Sequence, residues 1–143
     1  MKKLWTVLAL VTMLAACSKD EVPLAPQSTP SLAAVNFFDA LYNQRDLAVA
    51  EDFATGEAKE LLEHYGSVSS VQRYVMSQYY DDVHLEVDES SVQPFQDSGD
   101  RTQLTMMFDG YHNGDHIEEI REIVLIEYKG KWYVQKILDK RYH

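Results

Sequence analysis

The sequence predicts an α+β fold, in which N-terminal helices pack on a curved, four-stranded antiparallel meander to form a cone. Apolar residues recur at helical spacing in the first half of the chain, and from Val83 onward they alternate with polar residues, as in a strand with one solvated face. Two dipeptides, Asn113-Gly114 and Lys129-Gly130, are typical of two-residue hairpin loops. Helices therefore come first and strands second.

Four helices are predicted before residue 81. The first follows an N-cap at Ser31, the second is short and is capped by Asp46, the third runs from Thr55 to Gly66, and the fourth is capped by Ser67. The apolar face of the first helix consists of Ala34, Phe37, Phe38, Leu41 and Tyr42. The apolar stripe of the fourth consists of Val68, Val71, Val75 and Tyr79.

Four strands are predicted at about 83–96, 101–112, 115–128 and 131–138. A bulge or edge is expected near Ser90-Ser91 and Pro94, because proline cannot donate to a central ladder. Two-residue loops fix the pairing of the flanking strands. They place Phe108 opposite Glu119, Met106 opposite Arg121, Leu125 opposite Val134, and Ile123 opposite Lys136.

Composition narrows the class of protein. The 143 residues include 13 Lys+Arg and 23 Asp+Glu, a net charge of -10 that argues against nucleic-acid binding, because phosphate backbones select basic surfaces. A hydrophobic content of 45% suffices for one core. The single cysteine, Cys17, excludes an intrachain disulfide and a cysteine-based metal cluster.

The N-terminus has the order of parts of a signal peptide. Lys2 and Lys3 precede an apolar run from Leu4 to Leu14, which is 11 residues long and shorter than the roughly 20 needed to cross a bilayer. Residues 1–16 are therefore predicted to be a signal peptide. Residues 17–30, which contain three of the four prolines, are predicted to form a disordered tether, and residues 31–143 a single domain.

The segment Leu14-Ala15-Ala16-Cys17 resembles the lipobox of bacterial lipoproteins. The resemblance implies that the chain is cut before Cys17 and that fatty acyl chains are attached to this residue, so that lipid holds the protein on a membrane. An ordinary secretory signal with an incidental cysteine is the alternative. Ser18, rather than aspartate, implies transfer to the outer membrane, with the domain facing the periplasm.

The final strand, Gly130-Lys131-Trp132-Tyr133-Val134, together with the opening helix and the helix-before-sheet order, resembles the nuclear transport factor two-like (NTF2-like) superfamily. That superfamily includes polyketide cyclases, ketosteroid isomerase and many bacterial lipoproteins. The resemblance implies a cone of helices on a curved sheet, and it implies fold more than function. The cystatin fold is the nearest rival, although it has fewer helical segments.

Three charged residues share the predicted inner face of the sheet: Glu119, Arg121 and Lys136. Charges rarely face a core unpaired, so two interpretations stay open. Arg121 and Lys136 form an anion-binding pair inside the cone, with Glu119 orienting Arg121, or Glu119 and Arg121 pair at a solvated rim without a ligand.

The opposite face is also apolar, which indicates that something covers it. Its residues include Met107, Ile120, Val124, Ile126 and Tyr133. The superfamily resemblance implies a homodimer formed sheet to sheet, and a C-terminal tail that folds back is the alternative.

No cofactor and no metal are predicted. His112 and His116 flank a turn instead of a helical zinc motif, and the mature chain has no nucleotide-binding glycine loop, nucleophile elbow or cysteine nucleophile. The favoured function is a non-enzymatic, lipid-anchored module that binds a protein or small ligand. The alternatives are a small isomerase, cyclase or hydrolase that uses the cone pocket, and an envelope accessory or inhibitor protein.

Overall fold

The computed structural model describes residues 25–138 and has the predicted α+β architecture. The helices are α1 (Pro30–Asp39), α2 (Leu47–Asp52), α3 (Gly56–Tyr65) and α4 (Val68–Val71). The strands are β1 (Asp82–Pro94), β2 (Arg101–His112), β3 (Asp115–Tyr128) and β4 (Lys131–Ile137). They form one antiparallel meander in the order β1-β2-β3-β4, so the predicted fold class is confirmed.

Several predicted features lie outside the described residues. They are the signal peptide, the lipidated Cys17 and the first part of the tether, up to residue 24. None of the helices in the described part of the chain has the length and apolarity of a membrane-spanning segment.

The domain begins earlier in the chain than the sequence predicts. The backbone of Trp132 donates to the Gln27 carbonyl at 2.9 Å, and the Gln27 amide returns a bond of 3.1 Å to the Trp132 carbonyl. The N-cap of α1 is Thr29 instead of Ser31, because Pro30 occupies the first helical position, where its missing N–H costs nothing. Residues 27–30 therefore belong to the domain, although they were predicted to lie in the tether.

Two helices continue into π-helical segments. α1 is followed by Ala40–Gln44 and α4 by Gln72–Met76, and each segment ends at a left-handed residue, Arg45 and Ser77, both with φ 55°. The predicted extension of the fourth helix to Tyr79 is therefore wrong. Tyr79 instead packs against the ring of His112, with centroids 5.9 Å apart.

The first hairpin register is confirmed, with Phe108 opposite Glu119 and Met106 opposite Arg121. The second is confirmed only near its loop, where Leu125 faces Val134. A β-bulge between Val124 and Leu125 then shifts the pairing by one residue, and a bulge in β1 between Asp88 and Gln93 lies where one was predicted.

The bulge in β3 corrects one predicted pairing that bears on the site. Ile137, and not Lys136, faces Ile123, and Ile137 packs against the core. Lys136 lies opposite Val124 and is exposed. The inner face of the sheet therefore carries an apolar side chain at this position instead of the predicted charged one.

The core lies between the helices and one face of the sheet. α1 contacts all four strands, and its Phe38 ring meets the Phe108 ring edge to face at 5.0 Å. The buried inward residues of the sheet are Val83, Val87, Leu104, Met106, Phe108, Ile123, Leu125 and Val134. The apolar face predicted for the first helix is buried in full, as is typical of an amphipathic helix on a sheet.

Candidate functional site

A buried ion pair lies on the inner face of β3. Glu119 and Arg121 are two residues apart on one strand, so their side chains point the same way. Nη2 of Arg121 donates to Oε1 of Glu119 at 2.9 Å. The Arg121 side chain is 5% exposed and the Glu119 side chain 10%. The same nitrogen donates to the Met76 carbonyl at 2.5 Å. Arg121 therefore ties the sheet to the end of the second π-helical segment, in the way that cations favour helix C-termini.

Two buried tyrosines lie close to this pair. The Tyr42 hydroxyl donates to the Gln78 carbonyl at 3.0 Å, and the Tyr42 and Tyr80 rings meet at 5.3 Å. Burial raises the pKa of Tyr42 well above its usual value, and the negative charge of Glu119 raises it further. Burial also raises the pKa of Tyr80, and the negative charge of Glu119 raises it further. Both phenols are therefore held neutral beside the Glu119 carboxylate.

The sequence gives no sign of this arrangement around Glu119. Tyr80 is only 3% exposed and its ring stacks on that of Phe108. Tyr42 lies in the first π-helical segment, which is joined to the second by Gln72, whose side-chain amide donates to the Leu41 carbonyl at 2.8 Å. Single π-turns carry no clear sequence signal, although they are frequent at functional sites.

A hollow of about 230 Å³ opens next to the ion pair, between α3, the second π-helical segment and the end of β4. Arg121 forms part of its wall. Its Nε is buried and has no hydrogen-bond partner among the described residues. The remaining lining residues are Glu57, Leu61, Tyr65, Tyr74, Val75, Ile137 and Leu138. The accessible wall of the hollow is thus mainly polar, although aliphatic side chains contribute to it, and Arg121 lies at one side.

Lys136 lies outside the cone and pairs with a residue in the wall of this hollow. Its Nζ is 3.7 Å from Oε2 of Glu57, a wall residue, and both side chains are about half exposed. The bulge in β3 explains this position, since it moves Lys136 out of the inner row. Of the three predicted site residues, the structure brings Glu119 and Arg121 into contact and places Lys136 apart from them, beside Glu57.

The outer face of the sheet carries a second hollow, of about 430 Å³, lined in part by Met107 and Ile120. Ligand atoms of Asp109, His116 and Glu118 lie within 4.8 Å of one another there, and all three residues are exposed. His116 Nε2 is 2.5 Å from Asp109 Oδ1, and this hydrogen bond raises the pKa of His116. The contact accounts for the cluster as an ordinary surface pair, and we assign no metal to it.

No protein-family model matches the chain, and no curated protein matches it. Among solved structures, the chain is similar to a protein named Rd1NTF2_05 with several substitutions: identity is 15%, the match covers 71% of this chain and 88% of that chain, and the TM-score is 0.49. It is also similar to an NTF-2-like protein of unknown function from Shewanella oneidensis MR-1, with 11% identity, coverage of 72% and 88%, and a TM-score of 0.47. Likeness at this level carries no information about ligand or activity.

Proposed function

We propose that this chain is a lipid-anchored protein of the bacterial cell envelope whose NTF2-like domain is a non-enzymatic binding module. The lipobox segment that ends in Cys17 supports the anchor. A diacylated cysteine is held firmly on a membrane, because each buried methylene contributes about 0.8 kcal/mol. Ser18 supports transfer to the outer membrane, with the domain on the periplasmic side.

One observation supports binding above the rest, namely the hollow beside Arg121. Arg121 forms part of the wall, and most of the accessible wall is polar, so the hollow offers hydrogen-bonding groups to a ligand. Glu57, another wall residue, pairs with Lys136, which brings a second cation close by. The site is therefore better suited to hold a ligand than a fully packed core would be.

Thermal-shift screening of small acidic and carbonyl metabolites tests the binding function. We expect at least one compound to raise the melting temperature of the wild-type chain and to leave that of Arg121→Ala unchanged. Lys59→Ala, on the exposed side of α3, is the matched control and should respond like the wild type. Unchanged melting temperatures in all three proteins would remove the hollow as a binding site.

The lipid anchor is tested in cells with a palmitate analogue that can be tagged after incorporation. We expect the wild-type chain to carry the label and to fractionate with the outer membrane, because Cys17 is the only cysteine. Cys17→Ser should be unlabelled and should leave the membrane fraction. Label retained by Cys17→Ser would contradict a lipobox at this position.

A further inference from the structure

The two ends of the sheet differ in charge. The loop between β2 and β3 and the start of β1 lie at one end, which exposes five carboxylates, those of Asp81, Asp82, Asp109, Asp115 and Glu118. Arg45 also lies there, because its guanidinium donates to the Tyr80 carbonyl at 3.4 Å, and His116 adds a positive charge when it is protonated. The carboxylates outnumber these cations, so this end of the sheet is acidic.

The opposite end of the sheet carries the hairpin between β3 and β4, where Lys129 and Lys131 are exposed. Neither lysine forms an ion pair within the described part of the chain, whereas Lys136 is paired with Glu57. Nζ of Lys129 lies 5.2 Å from the centroid of the Tyr128 ring, and Tyr128 is 60% exposed. Lysines and an exposed tyrosine together are typical of side chains that settle at a membrane surface, with the ring at the headgroup level.

The loop between β1 and β2 lies beside this hairpin, since the Glu127 backbone donates to the Asp100 carbonyl at 2.8 Å. The carboxylates of Asp97, Asp100 and Glu127 are exposed here, and Arg101 adds a third cation to the two lysines. Opposite charges are therefore balanced at this end. An anionic surface repels the acidic end of the sheet and leaves the balanced end free to approach, so the difference between the ends orients the domain.

The chain that leads to Cys17 enters the domain beside the same hairpin. Trp132, the residue after Lys131, exchanges two hydrogen bonds with Gln27, of 2.9 and 3.1 Å. Ten residues of chain separate Cys17 from Gln27, and ten residues span at most about 36 Å. A lipid on Cys17 would thus keep the hairpin near the membrane, whereas the acidic end lies up to about 45 Å further along the 14 residues of β3.

We infer that the β3–β4 hairpin, through Tyr128, Lys129 and Lys131, is a contact surface for an anionic lipid membrane. The inference rests on the lipid anchor of the proposed function and goes beyond it, because it assigns the anchored domain an orientation. Attraction between a lysine and anionic headgroups falls off within a Debye length, about 8 Å at physiological ionic strength. The short connection to Cys17 brings the hairpin within that range, and the acidic end of the sheet then points away from the membrane.

The test is nuclear magnetic resonance of the full lipidated chain in nanodiscs that contain a small fraction of lipid with a paramagnetic headgroup, which broadens the amide signals of nearby residues. In nanodiscs of phosphatidylcholine and phosphatidylglycerol, we expect the amides of 129–131 to lose at least about half of their intensity and those of 113–115 to keep theirs. The difference between the two ends should shrink in pure phosphatidylcholine, which has no net charge, and at high salt.

A charge reversal on the hairpin tests the role of the lysines. Lys131→Glu changes an exposed residue that has no ion pair in the described part of the chain, so the fold should be unaffected. We expect it to reduce the broadening of the hairpin amides at least about twofold. Lys59→Glu makes the same change of charge at an exposed residue of α3, and it should behave like the wild type.

The outcomes separate this inference from the lipid anchor. A chain that elutes apart from the nanodiscs would refute the anchor and the inference together. A chain that stays on the nanodiscs with equal broadening at both ends, or with stronger broadening at 113–115, would overturn the hairpin contact and leave the anchor in place. Hairpin broadening that is the same in pure phosphatidylcholine and in Lys131→Glu would mean that the connection to Cys17 alone holds the hairpin there, which would overturn the recognition of anionic lipid.

Discussion

The Arg121–Glu119 pair is a buried contact in which each partner depends on the other. Removing one member of such a pair leaves the other charge buried without compensation, which typically costs about 3–5 kcal/mol. We therefore expect Arg121→Met to lower the free energy of unfolding by about 3 kcal/mol, in part because the Met76 carbonyl also loses its donor. Urea denaturation followed by circular dichroism measures this change.

A second variant separates the loss of the pair from the loss of Arg121 itself. The double variant Glu119→Gln with Arg121→Met removes both charges, so we expect it to cost less than the sum of the single changes. Lys136→Met, which breaks the half-exposed contact with Glu57, is the control and should cost less than about 1 kcal/mol. Equal, small effects of Arg121→Met and Lys136→Met would contradict a buried pair.

At the scale of the element, the join between β1 and β2 depends on Gly110. A Cβ at this position would lie 2.3 Å from the Asp82 carbonyl and 2.8 Å from the Tyr80 ring. The nearer atom belongs to the backbone of the paired strand and cannot move aside cheaply. We expect Gly110→Ala to lower the free energy of unfolding by about 2 kcal/mol, which falls in the range typical of overpacking.

Gly99 offers a matched control for Gly110. It lies in the loop between the same two strands, and a Cβ there meets nothing within 4 Å. Gly99→Ala should therefore leave the urea midpoint nearly unchanged. A loss of stability in Gly99→Ala equal to that in Gly110→Ala would mean that backbone freedom, and not the close approach of β1, explains the sensitivity of Gly110.

Element by element, the sequence predicted the parts that local chemistry controls. Asn113-Gly114 and Lys129-Gly130 adopt the positive φ angles of their loops, and the register next to each loop follows from them. The bulge in β3 has no such local signal, and it is what places Ile137 inward and Lys136 outward. A prediction that propagates a register from a hairpin loop fails beyond the first bulge.

One part of the candidate site could be predicted from the sequence, and the other part could not. Glu119 and Arg121 share a face because they are two residues apart on a strand of known register. Tyr42 lies within the first π-helical segment, and Tyr80 follows the second. Such segments shift the positions of later residues without having a distinctive sequence. Long-range packing, not composition, therefore decides which phenols meet the carboxylate.

At the scale of the whole molecule, the outer face of the sheet exposes a large apolar side chain, Ile120. Val124, predicted to lie in a dimer interface, is only 1% exposed within one chain, whereas Ile120 is 61% exposed. Met107 lies beside Ile120 in the outer hollow. We propose that a second copy of the chain covers this face, centred on Ile120 instead of Val124.

The charges around Ile120 give this dimer an expected pH dependence. Glu86, Asp109 and Glu118 line the same hollow, so two copies that meet there bring like charges together. Protonation of His116, whose pKa is raised by its hydrogen bond to Asp109, offsets one carboxylate per copy. The histidine carries its charge below that raised pKa and loses it as the pH rises, so association should be stronger at about pH 6 than at about pH 8.

Light scattering coupled to size-exclusion chromatography at micromolar concentration measures the state of association. We expect a dimer mass for the wild-type chain at the lower pH and a monomer mass for Ile120→Lys, which adds a charge at the centre of the face without removing a buried contact. Tyr74→Lys, at a similarly exposed residue on the second π-helical segment, should remain dimeric. A monomer mass for the wild type at both pH values would leave the outer face for another partner, and a dimer of Ile120→Lys would place the interface elsewhere on the molecule.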